Sequence, residues 1–351
     1  MKPEIYAKLI NNKKISVDVE AEIRFKIKDS VFQPGTVRIH LPAPINASWL
    51  KEGQLIDADP FFRMMSVEDF PQRSAYFNEI LSENTEFSIK YAFTSVHDYL
   101  FCDTGLIDNT PQKQFTKEAV LKYKELSHCG CESYTALPSD RILISDICED
   151  EGILFREEYY DFLIKNNILQ NKDGDCSISG KGTLARKIYE TVTDNYTPLS
   201  DKTLNLAFVS MCRICGIPAR WQGGWSCGIS KDDASVFSGI AHDWCMINLQ
   251  PYGWIYVDCV NAKNAGTDKI AGTDISYKDF FFGNIDPCMV PTASVPSANL
   301  YPAKDYERAD KVFNAFGEAE LIPGKMSSDG HFEGRGLKSN EFESQILIKV
   351  L

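Results

Sequence analysis

Residues 204–220 read LNLAFVSMCRICGIPAR, a stretch that predicts a buried helix followed directly by a strand. The apolar face of this helix repeats at i, i+3, i+4, i+7, i+8 and i+11, at Leu204, Ala207, Phe208, Met211, Cys212 and Cys215. Ser200 or Asp201 is able to cap its start, and Gly216 with Pro218 closes its end. An apolar helix of this kind needs a sheet or a second layer of helices to cover it.

The residues on either side supply that second layer. A further apolar helical stripe runs from Thr183 to Thr193. Downstream, strands are predicted at Arg220 to Trp225, at His242 to Leu249 and at Trp254 to Cys259. Helices followed by antiparallel strands predict an α+β core.

The first hundred residues have a different pattern. From Ile15 to Lys28, apolar and polar residues alternate strictly, which predicts a half-buried strand. A Pro34-Gly35 turn leads to a second alternating run at Val37 to Leu41, and a third lies at Phe87 to Phe93. Residues 1–98 are therefore predicted to form an N-terminal antiparallel β-sandwich.

The rest of the chain divides by composition. Candidate helices at Thr116 to Leu126 and Phe155 to Lys165, with a polar linker at 170–182, predict a helical connecting region over 99–182. The core then covers 183–290. A C-terminal extension, 291–351, is rich in Pro, Ser and Gly until it ends in a predicted strand at Phe342 to Leu351.

Composition excludes several classes of function. The formal net charge of -12 repels phosphate backbones and anionic lipids, so we expect no nucleic-acid or membrane partner. No apolar run approaches the roughly 20 residues of a membrane helix, and no signal-peptide pattern follows the N-terminal Met. The odd number of cysteines, 11, favours reduced thiols over a disulfide framework. We therefore expect a cytoplasmic protein.

His242 and Asp258 are the candidate chemical pair. They lie sixteen residues apart on consecutive predicted strands, a spacing that lets them become neighbours across the pair. An imidazole oriented by a carboxylate is half of a nucleophilic triad. The alternative is that His242 forms only structural hydrogen bonds within the sheet and that Asp258 is an unrelated carboxylate in a turn.

Four motifs occur in a fixed order: GIPAR at 216–220, WQGGW at 221–225, HDWC at 242–245 and GWIYVD at 253–258. This arrangement resembles the bacterial members of the transglutaminase-like superfamily. The resemblance implies a papain-like transglutaminase core, a helix packed on an antiparallel sheet, preceded by the sandwich. It also implies His242 as general base and Asp258 as its orienting carboxylate, with substrate binding by Trp225, Trp244 and Trp254.

The same resemblance implies a catalytic Cys at the N-terminus of the core helix, fifteen residues before the Gly of GIPAR. A thiol there is activated by the helix macrodipole and a nearby imidazolium. In this chain the position holds Asp201. Only Tyr196 to Ser200 separate it from Asn195, so the loop that normally presents the nucleophile is predicted to be deleted as well.

Other residues are weaker candidates for the nucleophile. Cys212 and Cys215 lie several turns into the helix on its apolar face, where a thiol packs and its pKa rises. Cys176 occupies a loop but precedes the wrong helix, and we interpret it as an exposed inert thiol. Ser200 is more simply a helix cap.

Two groups of residues could act as metal ligands. Asp201, His242 and Asp258 would suit a divalent transition metal, although a helix cap explains Asp201 equally. The segment His128-Cys129-Gly130-Cys131 has no second pair of Cys or His ligands to complete a metal site, so it is interpreted as a loop. We expect no metal and no cofactor.

The leading hypothesis is a catalytically inactive transglutaminase-like protein, a pseudoenzyme that binds a peptide, protein or glycan, or acts as a scaffold. The alternative is an active cysteine peptidase or amidase that uses a non-standard nucleophile. The two differ in whether any thiol reacts with the help of His242.

Overall fold

The computed structural model describes residues 3–31, 35–67, 71–81, 85–113, 157–197, 204–227, 236–296, 300–305, 314–323 and 334–351. Four sequence predictions lie outside these residues: the helix at Thr116 to Leu126, the segment His128 to Cys131, and the caps Ser200 and Asp201.

The strict alternation of apolar and polar residues near the N-terminus forms a long strand, β1 (Lys14–Ile27). Its apolar residues are buried from Val17 to Ile27, while the residues between them are exposed or partly exposed. The side-chain period of two therefore sets which face of β1 meets the core.

The other strands are β2 (Gly35–Pro42), β3 (Leu50–Asp59), β4 (Met64–Met65), β5 (Ser74–Ile80), β6 (Glu86–Asp98), β7 (Ala219–Ser226), β8 (Val236–Leu249), β9 (Gly253–Val257), β10 (Phe282–Gly283), β11 (Val290–Ala293), β12 (Glu318–Pro323), β13 (Arg335–Gly336) and β14 (Phe342–Val350). One sheet has the order β10-β9-β8-β14-β1-β6-β3, with β7 paired to β8 and β11 paired to β7. A second sheet has the order β13-β12-β2-β5-β4. The last strand thus joins β8 to β1.

Seven α-helices occur in the described residues: α1 (Pro3–Asn12), α2 (Thr104–Asp108), α3 (Glu157–Lys165), α4 (Lys181–Asn195), α5 (Leu204–Ile214), α6 (Cys259–Ala265) and α7 (Tyr277–Phe280). Helices combined with antiparallel sheets give an α+β fold, as predicted. In the parts of the chain with assigned structure, no helix combines the length and hydropathy needed to cross a membrane.

Helix α5 is the buried helix predicted from residues 204–220. All of its residues are buried, and it packs against β7 and β8. It ends where the sequence predicted, because Gly216 takes a positive φ of 69° and Ile217 N donates to the Cys212 carbonyl at 2.9 Å. The strand β7 then begins at Ala219, within the GIPAR motif.

Candidate functional site

The strand β8 places His242 in the middle of the larger sheet, directly opposite Gly224 of β7. A Cβ at Gly224 would lie 1.9 Å from the carbonyl oxygen of Val290 in β11. Only glycine therefore lets β11 approach β7 this closely beside His242. The second Gly of WQGGW has a structural role that the motif alone did not indicate.

His242 and Asp258 are brought together as the spacing suggested. His242 Nε2 lies 2.7 Å from Asp258 Oδ2, and both side chains are buried. Among the described residues, Nδ1 of the same ring has no hydrogen-bond partner. One ring nitrogen is thus held by a carboxylate while the other is available to a reacting group.

Asp258 is fixed by its place at the start of α6. It is the N-cap residue, and its Oδ1 accepts a hydrogen bond from Asn261 N at 3.0 Å. The Asn261 side-chain Nδ2 also donates to Asp258 Oδ2 at 2.8 Å and lies 3.3 Å from His242 Nε2. Sequence reasoning missed Asn261, although a polar residue three positions after an N-cap is a known signal.

The electrostatic surroundings favour the protonated ring. Burial acts to lower the pKa of His242, but the charge and the hydrogen bond of Asp258 oppose it and the net pKa lies above the ordinary value. The more distant carboxylates Asp243 and Asp286 act in the same direction. The pair therefore resembles an imidazolium held by a carboxylate.

Asn205 connects the start of α5 to strand β8 and to the start of α6, the two elements that carry the pair. Its Oδ1 accepts from Cys259 N at 2.8 Å, and its Nδ2 donates to the Asp243 carbonyl at 2.7 Å. The side chain is completely buried. Sequence reasoning missed Asn205 too, although a single amide within an apolar helical run was the available signal.

The three predicted substrate-binding tryptophans lie in different surroundings. Trp225 is fully buried and donates from Nε1 to the Ala315 carbonyl at 2.7 Å. Trp244 is also fully buried, 6.4 Å from the His242 ring, and donates to Gln222 Oε1. Trp254 is partly exposed beneath the Arg220 guanidinium, at 4.4 Å. A ligand would meet Trp254 first, because contact with the other two rings requires displacement of the residues that cover them.

Several thiols of the described residues have shifted pKa values. Burial raises the pKa of Cys212, Cys245 and Cys259, so these thiols are protonated at neutral pH. Cys176, interpreted from the sequence as exposed and inert, is the exception: it is half-buried, and a hydrogen bond with Cys215 lowers its pKa to about 7.

Cys176 is nevertheless remote from the candidate pair. Its Sγ lies 3.7 Å from the Cys215 carbonyl, just beyond the C-terminal end of α5. Asn205, beside Asp258, lies at the N-terminal end of that 11-residue helix. The two ends are about 16 Å apart at the helical rise.

Residues 183–259 match the family model of the transglutaminase-like superfamily. The match begins in α4 and ends just after Asp258, so it includes both members of the candidate pair. Comparisons with curated proteins and with solved structures gave no match. The chain therefore contains a transglutaminase-like domain at these residues.

Proposed function

We propose that this chain is a catalytically inactive transglutaminase-like protein that acts as a peptide- or glycan-binding or scaffolding module. The observation that carries the proposal is the buried His242–Asp258 hydrogen bond of 2.7 Å in a chain whose nucleophile position holds Asp201. A carboxylate in place of a thiolate is a much weaker nucleophile toward amides, and a full acyl-transfer mechanism needs nucleophile and base together.

Turnover tests this inactivity. The purified protein is given a glutamine-containing peptide with a primary amine, or the peptide alone, and ammonia release is followed. We expect wild type and His242→Ala to be indistinguishable. Turnover that depends on His242 would overturn the proposal.

A single reversion tests whether the missing Cys is the whole difference. Because the segment that presents the nucleophile is predicted to be short, Asp201→Cys should not restore turnover. Recovered activity in that variant would show that the loop is adequate and that only the residue has changed.

Ligand binding is the second half of the proposal. Trp254 supports it, since a partly exposed indole beneath a guanidinium offers a flat apolar surface next to a charge. Peptide and glycan arrays should identify a ligand whose affinity falls in Trp254→Ala. Phe61→Ala, which removes an aromatic side chain that is 69% exposed, is the matched control. Equal affinity in both variants would contradict binding at Trp254.

The active peptidase or amidase is the second candidate. It is favoured by one feature, the His242 Nδ1 that has no hydrogen-bond partner within the described ranges. On this hypothesis, one Cys→Ser variant abolishes amide turnover. The full set of such variants, measured beside His242→Ala, would identify the nucleophile.

The finer architecture is also proposed. A papain-like core over 183–290 is supported by the packing of α5 on β7 and β8, and a sandwich in 1–98 by apolar residues of both sheets within one core. We place the connecting region at 99–182 and the extension at 291–351. Limited proteolysis should first cut within 99–182 and leave the fragments associated, because β14 pairs with both β1 and β8. A first cut outside 99–182 would contradict this division, and fragments that separate would contradict the pairing of β14 with both strands.

A further inference from the structure

Three ligand-type side chains meet where β7 ends and β11 begins. Cys227 Sγ, Cys288 Sγ and a carboxylate oxygen of Asp286 all lie within 4.8 Å of one another. The antiparallel register pairs Trp225 with Val290. Continued by two residues, this register sets Cys227 opposite Cys288, so the backbone itself brings the two thiols together.

Asp286 is oriented toward this cluster by hydrogen bonds from two sides. Its Oδ1 accepts from Cys288 N at 2.8 Å, and its Oδ2 accepts from the Tyr6 hydroxyl at 3.1 Å. The carboxylate is completely buried, and none of the ion pairs formed among the described residues includes it. A buried carboxylate is costly unless hydrogen bonds, nearby positive charge or a metal ion compensate its charge, and the charge of His242, which forms no ion pair with it, supplies part of that compensation.

We propose that Cys227, Asp286 and Cys288 bind a thiophilic divalent cation of the zinc type. Two thiolates and one carboxylate form a donor set that tetrahedral zinc accepts, with a fourth position left for water or another ligand. Tetrahedral geometry places two zinc-bound sulfurs about 3.8 Å apart, so the observed cluster needs only small side-chain rotations. Binding releases the two thiol protons to solvent.

Tyr6 acts as a positioning residue for this site. Its hydroxyl holds one oxygen of Asp286, and its ring packs edge-on against Tyr277, Phe280 and Phe281. Residues that orient a ligating carboxylate in this way typically change metal affinity when they are replaced. The site would thus join the N-terminal helix α1 to the ends of β7 and β11.

This inference does not rest on the proposed function, because none of the three side chains belongs to the His242–Asp258 pair, although the Asp286 charge contributes to the raised pKa of His242. A disulfide between Cys227 and Cys288 is the competing state, and it would consume both thiolates. The experiment therefore measures metal content and thiol state on the same full-length sample.

The protein is purified under reducing conditions without chelator, and its metals are measured by mass spectrometry. We expect about one zinc ion per chain. After removal of zinc, binding of cobalt(II) should produce an absorption spectrum with thiolate-to-metal charge-transfer bands and the intense d–d bands of tetrahedral cobalt. Cys227→Ser should lose stoichiometric binding, whereas Cys176→Ser, which changes a similarly half-buried thiol elsewhere, should keep it. Tyr6→Phe should weaken cobalt binding by about 10-fold.

Two results would overturn the site. One is wild-type protein that stays free of zinc and gives no thiolate–cobalt spectrum, with Cys227 and Cys288 recovered either as free thiols or as a disulfide-linked peptide. The other is full metal content in Cys227→Ser. The wild-type stoichiometry and cobalt spectrum do not depend on how well any variant folds.

Discussion

His242 and His97 are both buried histidines, but their surroundings move their pKa values in opposite directions. Burial lowers the pKa of His97 to about 4. For His242, burial is outweighed by the Asp258 carboxylate, and the pKa is raised. An NMR titration should therefore show His242 above about 6.5 and His97 well below it. A depressed pKa for His242 would contradict the hydrogen-bonded pair.

The raised pKa also predicts how stability depends on pH. Protonated His242 stabilises the folded state fully below the unfolded pKa of about 6.5, and this contribution is lost as pH rises through the higher folded value. His242→Gln should remove that loss. Urea unfolding of both proteins at about pH 5 and about pH 9 measures it. An identical pH dependence in the two proteins would exclude this contribution.

Asn205 tests the connection between α5 and the candidate pair. Asn205→Ala leaves the Cys259 N–H and the Asp243 carbonyl without their amide partner, which should lower the free energy of unfolding by about 1–3 kcal/mol. Ser210→Ala is the control in the same helix, since among the described residues its hydroxyl bonds only the Leu206 carbonyl of its own helix. A decrease in unfolding free energy no greater than that of Ser210→Ala would show that Asn205 does not stabilise this connection.

At the level of single residues, the sequence predicted the contact between His242 and Asp258 but not the amides that form hydrogen bonds beside it. His242 and Asp258 stand out because a histidine and an aspartate follow glycine- and tryptophan-rich motifs. Asn205 and Asn261 stand out less, because an amide in a helix or just after an N-cap is a weak signal until its partners are known. Asp201, the substituted position, lies outside the described residues.

Among the elements, the close contact of β7 with β11 yields the sharpest prediction. Gly224→Ala would place a methyl group on the Val290 carbonyl and push β11 away. We expect a loss of about 1–3 kcal/mol in unfolding free energy, together with faster hydrogen exchange in β11. Gly53→Ala, where an added Cβ meets no atom within 4 Å, is the matched control. Similar effects in both variants would exclude the close approach.

The elements themselves were largely predictable, because each has a clear period. Strand β1 and helix α5 match the alternation and the helical stripe read from the chain. The burial of Trp225 and Trp244 was not predictable, since a tryptophan near a motif is equally consistent with ligand binding and with packing in the core. Which ring is covered depends on segments far away in sequence, such as Ala315.

For the whole molecule, strand β14 has the central place in the larger sheet. It pairs with β1 on one side and with β8 on the other, and it buries Ile346 and Ile348. Replacement of either isoleucine by Ala should cost about 2–5 kcal/mol and increase hydrogen exchange in both neighbouring strands. Gln345→Ala, at an exposed position of β14, should cost less than about 0.5 kcal/mol. Exchange that rises in only one neighbour would show that the two regions unfold separately.

The order in which the strands pair could not be predicted from the sequence. A β-rich run at the C-terminus predicts a strand, but its partners are set by contacts hundreds of residues apart, such as Ile23 with Ile346. Local periodicity carries no information about such neighbours.

The central claim is that no thiol of this chain is activated by His242. The most direct test is the iodoacetamide reaction rate of every cysteine below pH 7, mapped by mass spectrometry in wild type and His242→Ala. Among the cysteines that the structure describes, we predict that Cys176 reacts fastest, because its pKa is about 7, and that its rate is the same in both proteins. A cysteine whose reaction is fast in wild type and slow in His242→Ala would contradict the account.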